Sequence, residues 1–198
     1  MTEELISLLK DHSPRQKRAL LIEKMDQLEQ TGFGCEKCQG GWCCTFEYNS
    51  MRVSPLEAID IYLALVEENK WNDELIHHLQ HTQTKYRLDK EIFLGRGNTL
   101  RRTYTCPFFT EKAQGCSLSR AHKPYGCLAF NAQKSEVTDA GFCGSDQVLL
   151  EKQVVANQDD QINQLLKTYL TLDWDKKDIP SALLEINNQL INLSNSID

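Results

Sequence analysis

The sequence predicts a mainly α-helical fold with a small, irregular, cysteine-rich β element, an α+β arrangement. Three observations predict it. Capped or amphipathic segments recur at residues 14–30, 55–66, 73–86 and from 145 onward. Strand candidates are short and few, near residues 45–48 and 99–105. All eight cysteines fall between residues 35 and 143. A chain of 198 residues is long enough to bury a real core. It is therefore read as a single domain over 1–198. Residues 33–143 form its cysteine-bearing core, and 1–32 and 145–198 are helical flanks packing on that core.

Residues 2–30 read as two helices. Ser13-Pro14 supplies an N-cap followed by proline at the first helical position. Ala19, Ile22, Met25 and Leu28, with Leu21, then form an apolar stripe at helical spacing. Thr31-Gly32-Phe33-Gly34 ends that helix. Thr45, Phe46 and Tyr48 favour a short strand. Ser54-Pro55-Leu56-Glu57 is a capping box with proline at the first position, opening a helix with Leu56, Ile59, Tyr62, Leu63 and Val66 on one face. Trp71-Asn72-Asp73 restarts a helix carrying Leu75, Ile76, Leu79 and Tyr86. His77 and His81 share a face of it, but their polar neighbours favour a solvated surface over a metal site.

Gly95-Arg96-Gly97-Asn98 is a turn. Residues 99–118 read as a hairpin presenting Cys106 and Cys116, and 119–122 as one helical turn stopped by Pro124. Ser145-Asp146 can cap a long helix with Ile162, Leu165, Leu166, Tyr169 and Leu170 on its stripe. Ile179-Pro180-Ser181 marks a break, and a last helix carries Leu183, Leu184, Ile186, Leu190 and Ile191.

Charge and composition restrict the function. The net charge is −6 and the pI about 5.4, which argues against general nucleic-acid binding. Lys85, Arg87, Lys90, Arg96, Arg101 and Arg102 are a local exception, read as a solvated surface or as a basic wall beside an anionic cluster or substrate. No apolar run reaches the roughly 18 residues of a membrane span. The acidic start, Met1-Thr2-Glu3-Glu4-Leu5, lacks the basic region of a secretion signal, so the protein is expected in the cytoplasm.

The cysteines carry the chemistry. Cys35, Cys38, Cys43 and Cys44 lie within ten residues as C-x2-C-x4-C-C. The first pair has the spacing of a metal knuckle, and Gly34, Gly40 and Gly41 permit a tight wrap. Neighbouring side chains point in different directions in most backbones, so Cys43 and Cys44 can serve different sites or opposite sides of one cluster. Cys106, Cys116, Cys127 and Cys143 follow at wide spacings, Cys106 with a proline after it and Cys143 between glycines. Disulfides are disfavoured in a reducing cytoplasm. Four thiols in one glycine-rich loop do not resemble core packing. The reading is metal ligation by all eight: Cys35, Cys38, Cys43, Cys44, Cys106, Cys116, Cys127 and Cys143. The helices are then expected to surround a metal-binding centre.

The order C-x2-C-x4-C-C, C-P-F, G-C-x-L and K-P-x-x-C resembles the bacterial cysteine-cluster family of zinc- or iron-chelating proteins, distantly akin to flagellin lysine N-methylase. The resemblance covers roughly residues 33–143. It rests on Cys106-Pro107-Phe108, Cys116-Ser117-Leu118 and Lys123-Pro124-Tyr125-Gly126-Cys127. Four residues, not the family's two, precede the adjacent pair. Ser119, Lys123 and Leu128 stand where the family carries Tyr, Arg and Arg. The resemblance implies a redox or protein-modifying, methyltransferase-like role on a protein substrate or partner. No glycine-rich nucleotide loop is present to mark S-adenosylmethionine binding.

Dispersed single cysteines around one dense loop favour an iron–sulfur cluster of the 4Fe–4S type, which accepts sulfurs from several directions. Zinc is the alternative, because four-thiolate sites suit it, although they usually pair two knuckles and only one is present. The expected function is a cysteine-ligated metal-binding protein. The alternatives are a non-catalytic, zinc-stabilised interaction module, or metal storage and delivery.

Overall fold

The computed structural model describes residues 7, 9, 14–32, 41–90, 92–95, 98–110, 116–132, 143–145 and 158–195. Among these residues the fold is mainly helical with a few short strands, as expected. The helices are α1 (Arg15–Gln30), α2 (Pro55–Glu67), α3 (Asp73–Lys85), α4 (Tyr125–Ala129), α5 (Gln158–Tyr169) and α6 (Ile179–Asn195). The strands form three two-stranded antiparallel pairs. β1 (Arg52–Val53) pairs with β6 (Lys177–Asp178), β2 (Phe93–Gly95) with β3 (Asn98–Thr99), and β4 (Phe130–Ala132) with β5 (Cys143–Ser145).

Local chemistry accounts for the helix starts. At α2, the Ser54 hydroxyl accepts the Glu57 N–H at 3.4 Å, and the Glu57 carboxylate accepts the Ser54 N–H at 3.0 Å. The Asn72 side chain caps α3 by accepting the Leu75 N–H at 3.0 Å. The Asp178 carboxylate accepts the Ser181 N–H at 2.9 Å, so Pro180 lies in the first turn of α6 rather than breaking the chain. At α1 the structure differs from expectation. Pro14 itself is the N-cap and makes no side-chain cap bond.

Three helix ends use left-handed residues that are not glycine: Asn69, Arg87 and Thr171, at φ 54°, 54° and 53°. Just beyond them, the N–H groups of Lys70, Leu88 and Leu172 donate to Leu65, Gln83 and Lys167 at 2.8, 2.9 and 2.8 Å. These bonds satisfy carbonyls that the helices leave open. With no glycine at these positions, the sequence carries no visible stop.

The main core is a seam between α2, α3, α5 and α6. Ile59, Ile61, Leu79, Ile162, Leu166, Leu183 and Ile186 are buried in it. Burying one such side chain contributes roughly 1.5–3 kcal/mol. The buried side of α2 runs through Leu56, Ala58, Ile59, Ile61, Ala64 and Leu65, while Val66 is exposed, so the predicted face is rotated. Leu165 and Ile191 also point outward. Residues 162–186 therefore share one core with residues 53–79. A smaller cluster joins Leu21 and Met25 of α1 to Tyr125, Leu128 and Ala129 of α4. The long helix expected from Ser145 is described only over Gln158–Tyr169, and Ser145 itself ends β5. No described helix is long and apolar enough to cross a membrane.

Candidate metal centre

The expected strand at residues 45–48 is instead a turn. Trp42–Cys44 forms a 3₁₀ turn, and the Tyr48 and Asn49 N–H groups both donate to the Thr45 carbonyl, at 3.1 and 2.8 Å. The Thr45 hydroxyl closes back on the Trp42 carbonyl at 3.0 Å. Local bonding satisfies the backbone here and overrides the β preference of the aromatics. Gly41 begins the turn at φ 55°, where a Cβ would also lie 2.4 Å from the Phe109 ring. Both conformation and space demand glycine there.

This turn is fastened to the later cysteines. The Cys106 N–H donates to the Cys44 carbonyl at 2.8 Å. Two steps along, the Tyr104 N–H donates to the Asn49 carbonyl at 2.9 Å, and the Asn49 amide returns a bond to the Tyr104 carbonyl at 2.8 Å. Asn49 and Tyr104 are both buried. Only part of the expected hairpin over residues 99–118 forms. Phe109 bridges Cys116, and the Ser117 N–H donates to the Phe108 carbonyl at 2.8 Å. A 3₁₀ turn at Arg120–His122 and Pro124 then bring in α4, which carries Cys127. Cys143 lies in β5 opposite Ala132, the end of the strand that follows α4.

The thiols of Cys43, Cys106, Cys116 and Cys127 share one electrostatic environment. Burial pushes Cys106 up to about 12, with Cys116 and Cys43 adding to the rise. Burial likewise raises Cys127, strengthened by Cys106, Cys116 and Cys43. Cys116 is raised by burial and by Cys43. Cys43 is raised first by its hydrogen bond with the Cys44 thiol, at a sulfur separation of 4.0 Å, and then by burial, although the residue as a whole is exposed. The Lys123 ammonium opposes the rise at all four. Lys123 thus places a positive charge in the neighbourhood of these thiols.

Supporting residues hold this arrangement in place. The Glu57 carboxylate accepts the Tyr125 N–H at 2.8 Å as well as the Ser54 N–H, so one buried side chain caps α2 and anchors α4. Arg18, 1% exposed, pairs with Asp60 and donates from Nε to the Lys123 carbonyl at 3.0 Å. The Tyr104 hydroxyl donates to the Met51 carbonyl at 2.6 Å and accepts the Ile179 N–H at 3.2 Å. The capping role of Glu57 is legible in the sequence. The tertiary roles of Glu57, Arg18 and Tyr104 carry no sequence signal.

Cys35 and Cys38 lie outside the described residues. Next to the described thiols in sequence, Phe108 is buried and Trp42 is exposed. Among the described residues, no three His, Cys, Asp or Glu side chains come close enough together to hold a metal ion. The donor chemistry fits a thiolate-bound metal, but these side chains are not drawn to a single ion position. His77, His78 and His81 are exposed along α3. Lys90, Arg101 and Arg102 line a cleft beside α3 and α6. Comparison with family models, curated proteins and solved structures returns no match.

Proposed function

We propose that this chain is a cysteine-ligated metal-binding protein of the cysteine-cluster type, with a 4Fe–4S cluster as the favoured cofactor. The observation that carries the reading is the backbone pairing that fastens the Cys43-Cys44 turn to Cys106, with Phe109 bridging Cys116 three residues on, so that thiols from separated stretches lie in one region. Buried thiols with raised pKa values are poor surroundings for isolated thiolates. A bound cation removes that penalty, and ligation releases the protons. Cys44 lies beside the centre through its bond to Cys106. Cys35, Cys38 and Cys143 complete the proposed ligand pool. An iron–sulfur cluster would supply one-electron chemistry. Lys123 would offset its negative charge, and Phe108 would limit water on one side. A redox or protein-modifying role on a protein partner rests on the family resemblance.

Anaerobic purification followed by iron, zinc and acid-labile sulfide analysis tests this. Brown protein with iron and sulfide in matching amounts is the expected result. Colourless protein with stoichiometric zinc would replace the cluster with the zinc-stabilised interaction module. Protein purified anaerobically without any thiolate-bound metal, and unable to take one up, would overturn the reading.

A further inference from the structure

We infer that the cleft between α3, α6 and residues 88–90 and 100–102 is a binding site for a small polyanion bearing phosphate or carboxylate groups. The cleft has a volume of about 670 Å³. That falls within the roughly 300–1,000 Å³ typical of small-molecule sites. Arg52, Lys90, Arg101 and Arg102 line it. Three of these are fixed by main-chain carbonyls, which orient a guanidinium without neutralising it. Arg52 donates to the Lys176 carbonyl, Arg101 Nε to Ser50 at 2.7 Å, and Arg102 Nη1 to Tyr86 at 3.3 Å. Among the described residues none of the four makes an ion pair, in a chain whose net charge is −6.

The acidic residues of the lining do not cancel this charge. Glu185 is paired with Lys177 and accepts the Trp174 Nε1–H at 3.0 Å. Asp178 is committed to the Ser181 N–H, which it accepts at 2.9 Å at the start of α6. Asp89 and Asp173 remain as exposed carboxylates against four cations. Oriented guanidinium forks with open N–H groups match the planar oxygens of carboxylates and phosphates. Tyr104 links α6 to the thiol-bearing stretch. Its hydroxyl contacts α6 at Ile179, and its segment continues to Cys106.

Calorimetric titration of the full chain with pyrophosphate and with citrate, in low salt, tests the site. Saturable binding of at least one anion is expected, and the preferred anion identifies the phosphate or carboxylate class. The double variant Arg101→Gln/Arg102→Gln should weaken binding about tenfold or more, the effect of losing charge-assisted bonds. Lys90→Gln removes an exposed charge with little risk to folding and should weaken binding up to about fivefold. Lys70→Gln, an equal charge change outside the cleft, should leave affinity unchanged. The site is overturned if neither anion binds saturably, if Lys90→Gln and a folded Arg101→Gln/Arg102→Gln variant both bind as the unmodified protein does, or if Lys70→Gln weakens binding as much as Lys90→Gln.

Discussion

In α2, α3, α5 and α6, aliphatic side chains interlock along a seam where Ile59, Leu79, Ile162 and Leu183 are fully removed from solvent. Residues 41–50, 104–110 and 116–132 are built differently. They are turns, 3₁₀ segments, a five-residue helix and a short strand, joined by the Cys106-to-Cys44 bond and the paired bonds of Asn49 and Tyr104. The first region derives its stability from apolar area. The second contributes Tyr104, Phe108, Leu118 and Leu128 to the buried set but has no long helix, so a metal cross-link would add a further tie among its turns. The boundary between them does not follow chain order. α2 and α3 lie between the cysteines in sequence, yet they pack with the cysteine-free α5 and α6.

The largest expected effect is loss of metal. Chelation, or Cys106→Ser, should abolish hydrogen-exchange protection in residues 41–50, 104–110 and 116–132 while α2, α3, α5 and α6 keep theirs. Equal loss in both regions would erase the distinction. Unchanged protection in the thiol region would mean that metal does not staple it.

The converse change is Ile59→Ala, which leaves a cavity in the aliphatic seam. It should cost about 2–5 kcal/mol in denaturant unfolding, with both regions lost together. Glu57→Gln acts at the junction. It weakens the bonds to the Ser54 and Tyr125 N–H groups and should cost about 1–3 kcal/mol. If the junction matters as described, metal retention by this variant should also fall.

Alkaline titration of metal-free protein separates the regions by chemistry. The Cys106 thiol is raised from an ordinary 9.0 to about 12 by burial. Above 9.0 the unfolded chain releases its proton while the folded chain keeps it. Stability should therefore fall as pH rises from 9.0 toward about 12, by up to ~1.4 kcal/mol per pH unit for this group. Cys106→Ala should flatten that slope. The smallest effect belongs to the aliphatic region: Thr171→Gly relieves a β-branched residue held at φ 53° and should raise stability by about 1 kcal/mol.

Much of the helical region is legible in the sequence, because its signals are local. Ser54, Pro55 and Glu57 announce α2, and Asn72 announces α3, because capping bonds connect residues two or three apart. The ends of α2, α3 and α5 are not legible, since Asn69, Arg87 and Thr171 adopt left-handed backbone without glycine. The rotation of the α2 face and the burial of Arg18 are hidden for a related reason: which side is covered depends on the neighbour that covers it. The strand expected at Phe46 and Tyr48 fails because intrinsic β preference is weak without a partner strand.

The sequence by itself determined a mainly helical chain, the capped starts of α2 and α3, and a concentration of thiols in a glycine-rich loop and four later positions. These depend on residue type and short spacing. Only the tertiary structure decided that Cys44 bonds to Cys106, that Glu57 joins α2 to α4, and that Arg52, Arg101 and Arg102 line one cleft. Each of these joins residues from distant parts of the chain. Their proximity is produced by burial of the shared aliphatic seam, a cooperative property that no local spacing encodes.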